Sequence, residues 1–267
     1  MLRVLPLVTI SRLSACKLAA SSCPLSPLAF PHHHFPHPIR TMASTASATS
    51  STTAHQEPDP VAQILDFWFD PAYDFMRWFA PSTDLDSSIH DSFGPLITTA
   101  RETTDLDAWT ATPRGTLALL ILLDQFPRNV HRGSPLAHAS DAKALDVATK
   151  AVVKGFDRKV PLMYQPFFYL PFVHGEALLA QVAGKALYEG LVRRCGSGGG
   201  GEGHGGHGTG GWDLEQTTEF ANKGCGFAQG HAEIVERFGR FPSRNKALGR
   251  ENTKEEGEFL RDNPKGF

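Results

Sequence analysis

The stretch TPRGTLALLILLDQFPRNV, residues 112–130, decides the fold of this chain. Thr112 can cap a helix start with its hydroxyl, and Pro113 suits the first helical position, where an N–H would have no partner. Apolar side chains then cover nearly every face of the predicted helix: Leu117, Leu119, Leu120, Ile121, Leu122, Leu123 and Phe126. A helix that is apolar all round is buried by neighbours on several sides. We therefore predict a central helix in an all-α domain, ended by Pro127.

Polar residues stand at the C-terminal end of this predicted helix. Asp124 precedes the Phe-Pro pair, and Arg128 and Asn129 follow it. An acidic side chain near a helix C-terminus opposes the helix dipole unless a cation pairs with it. The spacing therefore favours an ion pair between Asp124 and Arg128. The apolar run is much shorter than the roughly 20 residues that a membrane-spanning helix needs, so we predict no membrane span here.

The first 56 residues differ in composition from the remainder. They contain Arg3, Arg12, Lys17 and Arg40 but no acidic residue, and they are rich in Ser, Ala and Pro. This composition is typical of a transit peptide for a mitochondrion or another organelle. A disordered tail is the alternative, and a second start at Met42 would produce a cytoplasmic form without the leader.

Charge and cysteine content limit the classes of partner. Four of the 26 basic residues lie in the leader, which leaves 22 against 28 acidic residues and a formal charge of about −6. An acidic chain without a basic stripe argues against nucleic acid as the main partner. Cys195 and Cys225 are too far apart in sequence for a zinc site or a disulfide framework. We expect reduced thiols, no metal and no cofactor.

Helical periodicity continues on both sides of the central helix. It predicts helices over residues 61–69, 84–101, 140–156, 165–194, 213–238 and 253–262. Pro171 should kink or divide the long helix at 165–194. Thr253 and Glu256 have the spacing of a capping box at the start of the last one. The predicted core of the later helices includes Val153, Leu178, Leu179, Val182, Leu187, Leu191 and Phe227.

Glycine dominates residues 196–211, between two predicted helices. Such a segment loses too much chain entropy on ordering to pack, which predicts a disordered insertion. No strand precedes it, so it does not match a phosphate-binding loop. His204 and His207 could hold a metal weakly, but a solvated linker is the favoured interpretation. We predict one all-helical domain over residues 57–267 that contains this insertion.

Two predicted helix ends have similar sequences. DQFPRN at residues 124–129 and GRFPSRN at residues 239–245 each place Phe-Pro before an Arg-Asn pair. In one interpretation the arginine caps the helix end and pairs with a carboxylate; in the other the two ends form a ligand site. The second interpretation assigns ligand binding to Arg128, Asn129, Arg240, Arg244 and Asn245.

Two histidines followed by glutamates supply the candidates for catalysis. His174 and Glu176 are two residues apart, so on a helix they point about 200° away from each other and cannot bind one metal. His231 and Glu233 repeat that spacing. An acid–base pair of His174 and His231 across facing helices is one hypothesis, and hydrogen-bonded core histidines are the other. The weak catalytic candidates are Asp124, His174, Glu176 and His231.

Five ordered motifs run through residues 61–260: ILDFWF (64–69), RWF (77–79), LLDQFPRN (122–129), YLPFVHGE (169–176) and HAEIVERFGRFPSRN (231–245). With these motifs the chain resembles domain-of-unknown-function family 924. The resemblance implies a tetratricopeptide-like array of αα-hairpins, a superhelix, with no catalytic residues to carry over, although no 34-residue repeat is visible. The family often has His where Ser243 stands and Ser where Gly175 stands, which weakens proton-transfer roles at those positions.

These observations leave two functional hypotheses. The first is a binding or scaffold module whose arginines receive an acidic peptide or a small anion on a concave helical face. The second is a small-molecule enzyme that uses acid–base chemistry in a pocket lined by Asp124, His174 and His231. A closed pocket with a histidine and a carboxylate within hydrogen-bond reach favours the enzyme, and an open groove favours binding. The polar residues could also merely brace helix ends.

Overall fold

Helices form all the regular secondary structure of this computed structural model, which describes residues 59–196 and 210–263. Within those ranges there is no strand, which confirms the all-helical fold class; the tetratricopeptide-like arrangement stays a prediction. The α-helices are α1 (Pro60–Trp68), α2 (Thr83–Glu102), α3 (Pro113–Leu120), α4 (Phe126–Val130), α5 (Asp141–Val153), α6 (Pro166–His174), α7 (Leu178–Gly196), α8 (Leu214–Phe238) and α9 (Lys254–Asp262). Short 3₁₀ turns lie at Phe75–Trp78, Asp107–Ala111, Pro135–Ala137, Asp157–Lys159, Leu162–Tyr164 and Pro242–Arg244.

The central helix consists of α3, a π-helical turn at Ile121–Gln125, and α4. Its N-terminus is capped as predicted, since the Thr112 hydroxyl accepts a hydrogen bond from the Gly115 N–H at 3.1 Å. The apolar residues predicted for it, from Leu117 to Phe126, are all at most 1% exposed. This helix is therefore the buried centre of the described domain.

Pro127 does not end the central helix, so that prediction is wrong. The π turn comes just before the proline, where the Phe126 N–H donates to the Ile121 carbonyl, five residues back. In a regular helix the Leu123 carbonyl would receive the N–H of residue 127, which proline lacks. Here the Ser140 hydroxyl donates to that carbonyl at 2.8 Å. A side chain at the start of α5 thus replaces the missing backbone bond, and the helix continues to Val130.

The long helix predicted over residues 165–194 is divided, but not at Pro171. That proline lies inside α6, and the break follows His174, at Gly175. Buried Gln181 on α7 donates to the carbonyls of Val173, at 2.8 Å, and Gly175. The carbonyls at the end of α6 therefore have a side-chain partner where the helix stops.

Helix α7 confirms only the second half of the predicted stripe, Leu187 and Leu191, and otherwise buries small and polar residues. Leu178, Leu179 and Val182 are 52%, 81% and 57% exposed. The buried face consists of Ala180, Gln181, Gly184, Tyr188, Leu191 and Cys195. A Cβ atom on Gly224 of α8 would lie 2.3 Å from Cε1 of Tyr188, so glycine permits the close approach of α7 and α8. The close packing of α7 against α8 therefore determines which face of α7 is buried.

Two further core predictions are wrong. Val153, at 84% exposure, is the last residue of α5, whose buried face is Ala144, Val147, Ala148 and Ala151. Phe227 is 46% exposed and contacts Phe79 at the surface, with ring centres 5.9 Å apart. The capping box at the start of α9 is confirmed, because Thr253 and Glu256 exchange both hydrogen bonds.

The predicted glycine-rich insertion is too wide at both ends. Gly196 is the last residue of α7, and Gly210 and Gly211 form a turn with positive φ that leads to buried Trp212. Residues 197–209, with His204 and His207, lie outside the described residues. So do the predicted leader, residues 1–56, and the alternative start at Met42.

The described residues belong to one unit, residues 55–267, with two apolar cores. The larger core involves α1 to α8. The smaller core lies between the end of α8 and α9, and consists of Ile234, Val235 and Phe241 with Phe238 and Phe259 against them. No helix among the described residues is long and apolar enough to cross a membrane.

Candidate functional site

Asp124 is the buried centre of a polar cluster at the end of the central helix. It lies in the π turn and is 1% exposed. Its carboxylate accepts hydrogen bonds from His174 Nδ1 at 2.8 and 3.0 Å and from the Gln125 amide, and Arg128 Nη1 lies 3.1 Å from Oδ1. Burial by itself raises the pKa of Asp124, but the Arg128 charge and the His174 bond outweigh it and hold the pKa well below its ordinary value. Asp124 is therefore ionised.

His174 is the last residue of α6, and the turn at Gly175 directs the chain away from it. Burial and the nearby Arg128 charge lower its pKa to about 4, so the ring is neutral at pH 7. Because an ionised carboxylate only accepts hydrogen bonds, the proton is on Nδ1 and Nε2 carries the lone pair. Nε2 has no hydrogen-bond partner among the described residues.

Asp141 links the two arginines of the repeated Phe-Pro motif. Arg128 Nη2 lies 2.9 Å from Asp141 Oδ1, and Arg244 Nη1 donates to Asp141 Oδ2 at 3.0 Å. Asp141 is the first residue of α5, next to the Ser140 that replaces the missing helix bond. The structure thus brings together the ends of α4 and α8 through one carboxylate at the start of α5.

Aromatic and histidine rings extend the cluster toward α8. The ring centres of His174 and His231 are 6.1 Å apart, and those of His231 and Phe241 are 5.3 Å apart. The Arg244 guanidinium lies 4.4 Å from the centre of the Phe241 ring. His231 Nδ1 donates to the Phe227 carbonyl at 2.8 Å. These contacts fix the Arg244 side chain beside the two histidines.

Burial lowers the pKa of two more histidines in the cluster. Burial and the Arg244 and Arg128 charges lower the pKa of His231 to about 4, although its hydrogen bond to the Phe227 carbonyl acts to raise the pKa. The pKa of His138 also falls to about 4, through burial and the same two charges. His138 Nδ1 is buried without a hydrogen-bond partner, 3.9 Å from Asp141 Oδ2. The cluster thus contains three histidines that are neutral at pH 7.

Glu176 does not face His174 but holds the segment that carries Arg244. It accepts two bonds from Arg250, at 2.8 and 2.9 Å, and one from the Phe241 N–H at 2.9 Å. The pKa of Glu176 is lowered, because the hydrogen bonds from Arg250 and Phe241 outweigh its burial. Glu176 therefore holds Phe241 and Arg250 in place, and both of its carboxylate oxygens accept hydrogen bonds from them.

Only part of the predicted ligand set meets at this cluster. Arg128 and Arg244 share Asp141, as described above. Asn129 instead donates to Asp86 at 3.0 Å, and Arg240 pairs with Glu256 at 2.6 and 2.8 Å. Asn245 donates to Asn252 at 2.8 Å. Those three side chains are bonded within the domain, away from His174.

Sequence reasoning missed four members of the cluster: Gln125, His138, Asp141 and Arg250. Gln125 is adjacent to Asp124 in the sequence, so its position at the first helix end could have identified it as a member of the cluster. Asp141 is the first residue of α5, and His138 follows the turn at Pro135–Ala137. Nothing in the sequence around these two residues indicates that they approach Arg244. Across residues 59–196 and 210–263, no group of three or more His, Cys, Asp or Glu side chains has a metal-binding arrangement.

A family model described as "Bacterial protein of unknown function (DUF924)" matches residues 64–264. The chain belongs to this family. A solved structure, that of the protein of unknown function ATU0120 from Agrobacterium tumefaciens, is 35% identical to the chain, with a TM-score of 0.61. The match covers 76% of this chain and 97% of that one. No curated protein matches the chain.

Three of the five DUF924-like motifs meet at the cluster. LLDQFPRN supplies Asp124 and Arg128, YLPFVHGE supplies His174, and the third, residues 231–245, supplies His231 and Arg244. The other two motifs pack elsewhere: Trp68 stacks on Trp78 at 6.1 Å, and Arg77 donates to the Phe67 carbonyl at the end of α1. LLDQFPRN joins the polar cluster to this aromatic group, because the Phe126 ring centre lies 5.4 Å from that of Trp68.

Proposed function

We propose that this protein is a small-molecule enzyme in which His174 transfers protons, with Asp124 positioning it. The supporting observation is the hydrogen bond of His174 Nδ1 to the buried carboxylate at 2.8 Å, which leaves Nε2 with its lone pair and no partner in the part of the chain that the structure describes. A neutral imidazole held in this way is a general base whose orientation the carboxylate fixes. Once protonated, the ring is stabilised by the same carboxylate.

His231 is the second proton carrier in this proposal. Its ring lies beside that of His174, 6.1 Å between centres, and is also neutral at pH 7. The neighbouring guanidiniums of Arg128 and Arg244 favour a substrate with negative charge. The reaction class is therefore proton abstraction from, or donation to, a small anionic compound in a mostly buried site.

The alternative is a module that binds an acidic peptide or a small anion on a tetratricopeptide-like helical array. It has less support from the cluster, because Asn129, Arg240 and Asn245 are each bonded to an internal side chain. Of the five residues assigned to ligand binding, Arg128 and Arg244 lie at the cluster, so the described residues present no extended row of arginines beside His174. A peptide groove would need such a row.

Proton exchange in deuterated water tests the proposal. The full chain is incubated with a panel of small keto acids, hydroxy acids and phosphate esters, and proton NMR records loss of C–H signals or new products. We expect change with the wild type, and a rate lower by about 10²–10⁴ in His174→Gln, the usual contribution of a general base. Asp124→Asn should reduce the rate as well, since the ring loses its orientation.

His90→Gln is the matched control. His90 forms an exposed pair with Asp91 at 3.2 Å and lies outside the cluster. It should retain the wild-type rate. Equal rates in the wild type and His174→Gln, or no change with any compound of the panel, would contradict an acid–base role. Ligand-induced stabilisation without turnover in the wild type and all three variants would instead support the binding module.

A further inference from the structure

Arg128 and Arg244 differ in how much of their hydrogen-bonding capacity the protein uses. Arg128 donates through Nη1 to the Asp124 carbonyl at 2.8 Å and pairs with its carboxylate, while Nη2 binds Asp141. Arg244 bonds through Nη1 to Asp141. Within the described residues, Nε and Nη2 of Arg244 have no hydrogen-bond partner. One complete edge of its guanidinium is unused.

That edge has a fixed orientation. The guanidinium lies 4.4 Å from the Phe241 ring centre, and Nη1 is held by Asp141 at 3.0 Å. Phe241 in turn is held by Glu176, which accepts its N–H at 2.9 Å. Arg244 is 12% exposed. The Nε–Nη2 edge of an arginine matches two oxygens of a planar carboxylate, and here the protein has fixed that edge in advance.

His138 provides a second unused group at the same place. Its Nδ1 is buried without a partner and lies 3.9 Å from Asp141 Oδ2, the oxygen that Arg244 binds. A buried polar atom without a partner is uncommon in folded proteins and marks a position where a ligand can complete the bonding. Within the described part of the chain, an imidazole nitrogen of His138 and the free edge of Arg244 therefore both lie near Asp141 without a hydrogen-bond partner.

The charge count of the cluster decides between classes of anion. The charges of Arg128 and Arg244 are balanced by Asp124 and Asp141, and the three histidines are neutral at pH 7. A dianion would add two negative charges next to the buried Asp124 carboxylate and the partly buried Asp141 carboxylate. A monocarboxylate adds one and matches the planar edge. The balance favours the monocarboxylate.

We infer that the substrate of the His174 site is a small monocarboxylate whose carboxylate binds the Nε–Nη2 edge of Arg244. Arg244 is then a substrate-binding residue, and Arg128 holds the site together. This inference rests on the proposed function for the identity of the site, but its test measures binding and not turnover.

Thermal unfolding of the full chain with propionate tests the inference. Methyl propionate serves as the uncharged analogue and inorganic phosphate at pH 8, where it is mainly the dianion, as the doubly charged one, all at matched pH and ionic strength. We expect propionate to raise the unfolding midpoint of the wild type and of His174→Gln, and methyl propionate and phosphate to leave it unchanged. Arg244→Lys should abolish the rise, because lysine keeps the charge and loses the two-donor edge.

Arg237→Lys is the matched control for Arg244→Lys. Arg237 also lies over a phenylalanine ring, 4.7 Å from the Phe238 centre, and pairs with a carboxylate, Glu255, at 2.8 Å. It should respond to propionate as the wild type does. A retained response in Arg244→Lys, or equal stabilisation by phosphate, would overturn the inference.

A second measurement covers the case in which Arg244→Lys does not fold. The arginine Nε–H signals of the ¹⁵N-labelled wild type are followed during titration with propionate. The inference requires one such signal to shift with propionate and not with methyl propionate; no shift overturns it. His174→Gln should lose proton exchange and still bind propionate. Its loss of exchange therefore contradicts neither the thermal shift nor the shift of the arginine signal. Failure of binding and failure of catalysis are thus separately visible.

Discussion

The two Phe-Pro-containing helix ends, residues 126–129 and 241–245, use the same residue types in different surroundings. The first lies within a continuous buried helix, after a π turn, and its arginine binds two aspartates. The second follows the left-handed Gly239, beside the smaller apolar core, and its arginine binds one. Arg128 stabilises the first end through two aspartates. Arg244, beside the smaller core, has no partner for its Nε–Nη2 edge among the described residues. The number of carboxylate partners separates the two roles, because the Arg128 and Arg244 side chains are similarly buried, at 19% and 12% exposure.

Removing each arginine gives the largest expected contrast. Arg128→Ala leaves Asp124 buried with fewer partners, and we expect a loss of about 3 kcal/mol in the free energy of unfolding. Arg244→Ala should cost about 1 kcal/mol, because Asp141 keeps Arg128 as its partner. Urea unfolding at pH 7 measures both. Equal losses would show that the two ends brace the fold equally.

The first helix end also depends on Ser140, a partner that the second end lacks. Ser140→Ala removes the hydroxyl that donates to the buried Leu123 carbonyl, and we expect a loss of about 1–2 kcal/mol. Thr149→Ala is the control, since the Thr149 hydroxyl bonds its own helix at an exposed position. A Ser140 effect no larger than the Thr149 effect would mean that this bond does not support the proline within the helix.

The histidines between the two ends should make stability depend on pH. The pKa values of His138, His174 and His231 fall from 6.5 to about 4 on folding, so the unfolded chain binds more protons between pH 4 and pH 6.5. Stability therefore rises with pH across that window and is lost as pH falls. We expect a loss of about 1–2 kcal/mol per histidine from pH 7 to pH 5.

Urea midpoints at the two pH values measure this dependence. His138→Gln should show a weaker slope between pH 5 and 7 than the wild type, and His90→Gln, at an exposed position, the same slope. An unchanged slope in His138→Gln would place the acid sensitivity outside the cluster.

The smallest effect concerns the glycine that precedes the second end. Gly239 caps α8 with φ of 70°, and nothing lies within 4 Å of a Cβ built there. Gly239→Ala should therefore cost about 1 kcal/mol through backbone conformation alone. Gly94→Ala is the matched comparison, because Gly94 is helical with equally open surroundings and should gain about 0.5–1 kcal/mol. Thermal unfolding of the pair tests whether φ decides the sign.

Local patterns were sufficient where the physics is local. The all-round apolar run predicted the buried central helix, and Thr112 and the Thr253–Glu256 pair predicted two helix starts. The four-residue spacing of Asp124 and Arg128 predicted their ion pair. Capping and i,i+4 pairing involve neighbours within one turn, so their partners can be identified in the sequence.

Local patterns failed where the partner lies far along the chain. The continuation of the helix past Pro127 depends on Ser140, and the exposed leucines of α7 follow from the close contact of Tyr188 with Gly224. For the same reason the sequence did not show that Arg240 and Asn245 bond away from the cluster, since their partners lie in or near α9.

By itself, the sequence determined that this chain is helical, where its central helix lies, and which polar residues stand at the two helix ends. The tertiary structure alone decided that His174 meets Asp124 and that Arg244, not Arg128, keeps an edge unused. The physical reason is that helical periodicity and capping are properties of a few consecutive residues. Hydrogen-bond satisfaction of a buried group, in contrast, depends on which distant helices pack around it.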